Sequence, residues 1–159
     1  MDMIKCNTDG SWNKETGNSG VGWISRDQRG QLLWAEARKV QNMGSPIEVE
    51  AEALKWAIDT MYAFQYKQVC FESDSQVLIQ MLRGEEPVWL TIQPIIQDIQ
   101  KRLQQSSGYE VMYQQRGGNM AADRIAKETS SFENNVPRLY SIVPSWLNSF
   151  VEVDKPFVR

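Results

Sequence analysis

Apolar and polar positions alternate along the first forty residues in three runs separated by turn chemistry. Residues 4–9 read as a first strand. Residues 20–26, GVGWISR, set Val21, Trp23 and Ser25 against Gly22, Ile24 and Arg26. DQRG makes a turn, and QLLWAEARKV (31–40) returns as a third strand. The period then changes. Ser45, Pro46 and Glu48 form a capping box with proline at the first helical position, opening a helix that runs to about residue 65. KQVCFESDS (67–75) reads as a buried strand ending in acid. SQVLIQMLRG (75–84) is a short helix closed by Gly84. Ile92, Ile95, Ile96, Ile99 and Leu103 recur at helical spacing across 87–108, residues 109–116 form a fifth strand, and 119–132 a further helix.

The order β-β-β-α-β-α-α-β-α predicts an α/β fold with a five-stranded mixed sheet. Three antiparallel strands come first, parallel βαβ units follow, and helices cover both faces. Residues 1–132 are expected to form one domain. The tail, 133–159, has three prolines and the apolar anchors Trp146, Leu147 and Phe150, so it should pack on the same domain.

Composition narrows the chemistry. A chain of 159 residues that is 42% hydrophobic fits one ordinary core, and no stretch is apolar for long enough to span a bilayer. A net charge of -3 predicts no broad electrostatic grip on nucleic acid, so such binding must be local or metal-mediated. There is no histidine. That excludes His-ligated zinc, Ser-His and Cys-His nucleophiles and imidazole acid–base chemistry, leaving carboxylates and hard metals. Cys6 and Cys70 lie in strands with thiols directed differently, so no disulfide is expected and a reducing compartment, nuclear or cytoplasmic, is the default.

Four acids are candidates for that chemistry. Asp9 ends the first strand in TDGS, where Asp-Gly also reads as a simple turn, and Asp74 ends the fourth in ESDS. If those strands are parallel neighbours, the two carboxylates lie side by side and repel unless a cation joins them. On the helix that follows Ser45, Glu48 belongs to the capping box. With 100° per residue, Glu50 falls within about 100° of Ile47, Ala51, Leu54, Ala57, Ile58, Met61 and Phe64, on the apolar face. Glu52 falls on the far side beside Lys55 and Trp56, which makes it the fallback. Asp123 opens the last helix, where a carboxylate also complements the helix dipole. An oxygen-only set suits Mg²⁺ or Mn²⁺, and two such ions about 4 Å apart serve phosphodiester hydrolysis.

TDGS, the helix with EAEAL, ESDSQ, and R-x-x-N-x-x-x-D closing in ADRIAKE together resemble the ribonuclease H fold. More narrowly they resemble the plant reverse-transcriptase-like RNase H domains of non-LTR retroelement polyproteins and their stand-alone relatives. The likeness covers nearly the whole chain. It implies Asp9, Glu50, Asp74 and Asp123 as catalytic, metal-holding acids, and the family's glutamate register (alanine at +3, leucine at +4) selects Glu50 over Glu52. It implies substrate contacts from Gly10 and Ser11 to the RNA strand, from Gln76, and from Asn119 in a flexible loop; the cations Arg116, Arg124 and Lys127 are expected to contact phosphate. Gly10 would let the hybrid's backbone come close. Two features of bacterial-type relatives are missing: paired asparagines, replaced by Pro46 and Ile47, and a loop histidine, whose region holds Arg116 and two glycines. With no basic protruding helix either, weak hybrid affinity and slow turnover are expected.

The activity so implied is a two-metal endoribonuclease cutting the RNA strand of RNA/DNA hybrids, acting as a monomer within or derived from a larger polyprotein. The alternative is a nucleic-acid-binding remnant without activity. A DnaQ-like exonuclease wants Asp-x-Glu in its first motif, whereas this chain has Asp9-Gly10-Ser11.

Overall fold

Strand β1 (Ile4–Trp12) runs antiparallel to β2 (Ser19–Arg26) on one side and parallel to β4 (Val69–Ser73) on the other in the computed structural model, which describes residues 3–157. Beyond β2 comes β3 (Leu32–Val40), antiparallel. Beyond β4 comes β5 (Tyr109–Tyr113), parallel. A sixth strand, β6 (Arg138–Tyr140), pairs with Ala35–Ala37 of β3, and the order is β5-β4-β1-β2-β3-β6. Five strands are expected from the pattern. The sixth is only three residues long, too short to show a period of two.

Helix α1 (Pro46–Ala63) covers one face of the sheet. The Ser45 hydroxyl accepts from the Glu48 N–H, and the Glu48 carboxylate accepts from the Gly44 N–H, so the helix starts where the capping box places it. Its residues Leu54, Ile58 and Met61 meet Trp23, Phe71 and Leu78 in the main core, closed by Ile96 and Ile99 of α3 (Gln93–Gln105). Between them lies the short α2 (Gln76–Leu82). The buried arc of α1 is wider than the wheel implies. Val49 and Ala53 form a second contact with Val21, and Trp56 packs edge-on to Trp23 at 6.3 Å with the Arg38 guanidinium over its ring. Trp56 is therefore not on a solvent side.

Helix α4 (Met120–Glu128) lies on the opposite face, pressed onto β2. A side chain at Gly22 would meet Ile125, and one at Gly20 would meet the Ala126 carbonyl and Thr129. These two glycines let the helix sit directly on the strand. The run expected to be helical to 132 ends instead at Glu128 in a 3-10 turn, Thr129–Ser131. The tail carries a further helix, α5 (Asn148–Asp154), and its Leu147 and Val151 are buried with Ile24, Ala35, Ala121 and Ile125. Both cysteines are free and buried, and burial pushes their thiols up, that of Cys70 to about 12. Among the described residues no helix is long and apolar enough to cross a membrane.

Candidate active site

Parallel pairing brings the ends of β1 and β4 together. Thr8 pairs with Ser73, so Asp9 and Asp74 stand at the same level; Asp74 follows the last residue of β4, whereas β1, expected to end at Asp9, runs on to Trp12 because residues 9–12 stay paired with β2. Glu50 reaches the same point from α1. Its Oε1 accepts from the Gly10 N–H at 3.0 Å. One carboxylate oxygen from each of Asp9, Glu50 and Asp74 lies within 4.8 Å of the other two. Asp123, in the first turn of α4, stands beside Asp9 and is paired through Oδ2 with Lys127 Nζ at 3.0 Å. Glu52 lies elsewhere, beside Met43, Thr91 and Ile95.

The charges oppose one another. Asp9 is only 4% exposed, and burial followed by the Glu50 and Asp74 charges holds its carboxyl well above the usual range. Burial, with the Asp74 charge adding to it, lifts Glu50 from 4.5 to about 7. Burial also raises Asp74, against the pull of Arg116. Glu50 Oε2 is sealed from solvent with no hydrogen-bond partner. Three converging carboxylates and an oxygen without a partner repel one another unless a cation joins them, and an all-oxygen donor set fits a hard divalent ion. The residues present therefore fit Mg²⁺ or Mn²⁺.

The other expected residues divide. Gln76 is exposed at the first position of α2, two residues past Asp74. Arg116 is 85% exposed at its side chain and reaches Asp74 Oδ2 at 3.7 Å. Ser11 is half-buried on a groove it shares with Trp12, Lys14, Lys39, Lys127 and Thr129. Gly10 has a different reason to be glycine from substrate approach. A Cβ there would stand 2.5 Å from Val49 Cγ1 and 2.9 Å from its backbone carbon. The missing side chain admits α1, and that contact is what lets Glu50 reach the Gly10 N–H. Asn119 is corrected as well. It is fully buried, accepting from Asn7 Nδ2 at 2.9 Å and donating to the Thr8 carbonyl at 3.0 Å, so it faces β1 and not a substrate.

That contact belongs to a buried polar layer that the acid motifs do not reveal. Asn7 donates to Glu72 as well as to Asn119, and Glu72 is paired with Lys5 at 3.2 Å. Asn7 and Glu72 sit two residues before Asp9 and Asp74, so strand alternation places all four on one face, and that was the available signal. A second buried pair, Arg26–Asp154, joins the end of β2 to α5 at 3.1 Å. Burial works against the charge on both partners, lowering Arg26 and raising Asp154. Nothing in the local sequence links them.

Comparison with known proteins agrees with this architecture. A family model described as reverse transcriptase-like matches residues 7–129. No curated protein matches. Among solved structures, the N-terminal RNase H domain of a Mycobacterium tuberculosis protein superposes with a TM-score of 0.73 at 16% identity, covering 80% of this chain and 93% of that one. A complex of LC11-RNase H1 with an RNA/DNA hybrid gives 0.72 at 21%, covering 79% and 94%. Prototype foamy virus protease-reverse transcriptase gives 0.64 at 18%, covering 84% of this chain and 21% of that one. The fold is that of the RNase H domains.

Proposed function

Because the chain belongs to the reverse transcriptase-like family, we propose that it is a divalent-metal-dependent endoribonuclease hydrolysing the RNA strand of RNA/DNA hybrids. The single observation that carries this is the convergence of the Asp9, Glu50 and Asp74 carboxylates within 4.8 Å of one another, with Glu50 Oε2 buried and without a partner. Similarity to an RNase H1 whose structure holds an RNA/DNA hybrid supports the substrate class.

Asp9, Glu50, Asp74 and Asp123 would hold two Mg²⁺ or Mn²⁺ ions, which when bound supply an activated water and stabilise the leaving oxygen. The protein's own part is positional. The Gly10 N–H fixes one oxygen of Glu50, holding the carboxylate beside those of Asp9 and Asp74. Lys127 pairs with Oδ2 of Asp123 from the solvent side and leaves its other oxygen toward Asp9. Arg116 can exchange Asp74 for a backbone phosphate, since its side chain already stands in solvent. Ser11 and Gln76 flank the acids where they can meet the RNA strand, whose 2′-hydroxyl separates it from DNA. The paired asparagines that would hold the DNA strand are absent, and Pro46 and Ile47 serve the start of α1. Affinity should therefore be modest. The protein acts as a monomer, from or within a polyprotein of the kind that the foamy virus similarity suggests.

The test is cleavage of a labelled RNA/DNA hybrid with Mg²⁺ or Mn²⁺, comparing the natural protein with Asp74→Asn. Equal rates would refute the assignment. The net charge of -3 favours a second reading, binding without cleavage. If neither protein cuts, hybrid binding that weakens with salt supports it.

A further inference from the structure

Helix α4 carries Asp123, and how that helix is held decides where the fourth acid stands. Its N-cap residue, Asn119, makes no capping bond, because its side chain is committed to Asn7 and Thr8. The open N–H groups of the first turn are taken from the far end of the chain. Asp154 Oδ1 accepts from Met120 N at 3.1 Å and Oδ2 from Ala121 N at 2.7 Å. Asp154 is 2% exposed, and Arg26, fully buried, clamps it, donating to Oδ2 at 3.1 Å and to the Val151 carbonyl at 3.0 Å. Asp123 follows within the same turn, its N–H bonded to the Asn119 carbonyl at 3.2 Å. A carboxylate at that end complements the helix dipole and supplies the acceptors that a local cap would. The match to the family ends at residue 129, so this carboxylate comes from a segment beyond it.

We propose that Asp154 is a positioning residue for Asp123, and that the C-terminal segment is a working part of the acidic site and not an appendage packed beside it. The proposal rests on the nuclease reading only in taking Asp123 as one of the site's acids. The clamp ties the start of α4 to β2, Asn119 ties it to β1, and the close approach at Gly20 and Gly22 fixes the helix further along. A buried ion pair is weak evidence for stability alone, since an apolar pair of similar size commonly does as well. What an apolar pair does not supply is an acceptor for two helix N–H groups.

Three variants separate the two roles. Asp154→Asn strands the Arg26 charge and can fail to fold. Arg26→Met with Asp154→Leu removes both charges, keeps the space filled, and leaves the first turn uncapped. Leu147→Val loosens the same segment away from the carboxylate. In the double variant, exchange of the Met120 and Ala121 amides should rise about tenfold. Mn²⁺ affinity, read from the free-ion EPR signal, should fall about tenfold, and kcat on hybrid with it, while KM stays within about twofold. Leu147→Val should lower Tm and move none of these. A double variant with natural amide exchange and natural Mn²⁺ affinity would overturn the proposal. Failure of the natural protein to bind Mn²⁺ or cut hybrid would instead overturn the nuclease reading, and amide exchange would still decide whether Asp154 holds the turn.

Discussion

Replacing Glu50 by glutamine should make the metal-free protein more stable at pH 8. In the folded protein the Glu50 carboxyl is raised from 4.5 to about 7, chiefly by burial. The folded state thus binds a proton that the unfolded chain gives up, so the stability Glu50 contributes is full below about pH 4.5 and is lost as pH rises through 7. At about 1.4 kcal/mol per unit, that difference comes to about 3 kcal/mol, and the partial solvent access of the residue trims it to about 2. Glutamine keeps an oxygen for the Gly10 N–H and turns the orphaned position into a donor that Asp9 can accept. For a domain of this size each kcal/mol moves Tm by about 3 °C, so Glu50→Gln should melt about 6 °C higher at pH 8 in chelator. The two proteins should coincide near pH 4.5. Mn²⁺ should reverse the order, because the natural site gains by binding and the variant has lost a ligand. Thermal melts followed by circular dichroism at the two pH values, with and without Mn²⁺, decide it. A variant less stable at pH 8 in chelator, or a difference independent of pH, would refute the electrostatic account.

Three further outcomes follow from the geometry. Asn119→Ala strands the Thr8 carbonyl and one contact of Asn7, and should cost about 2 kcal/mol in urea denaturation. Gly10→Ala drives a methyl into the backbone of Val49 and should cost about 2 kcal/mol; Val49→Ala should not restore the loss, because the backbone carbon at 2.9 Å stays in place. Arg116→Ala should weaken hybrid binding about equally across sequences and reduce the slope of log K against log salt by about one contact, read by fluorescence anisotropy.

The meander, the capping box and the acid after β4 were legible because each is written in neighbouring residues, whereas β1 runs past Asp9, which the Asp-Gly pair does not reveal. Glu50 could be chosen over Glu48 and Glu52 from helical phase, and the structure places it with Asp9 and Asp74. What was not legible depends on contacts between distant segments. Gly10 looks like a turn or substrate glycine until α1 is seen against it, and Asn119 looks like a loop residue until its amide is found under β1. The buried pairing of Arg26 with Asp154 spans 128 positions, and no period connects them. Strand β6 escaped because three residues carry no pattern and its partner is decided by the tail's path.

That short strand has a consequence for how the protein behaves in concentrated solution. Without β6, the nine residues of β3 would present a long row of unpaired backbone groups, which is a template for another chain to add to. With it, the middle of that row, Ala35–Ala37, is paired, and the uninterrupted edge is broken into two short pieces. Leu139→Pro, which removes a ladder N–H from β6 and leaves α5 in place, should increase self-association in analytical ultracentrifugation relative to the natural protein.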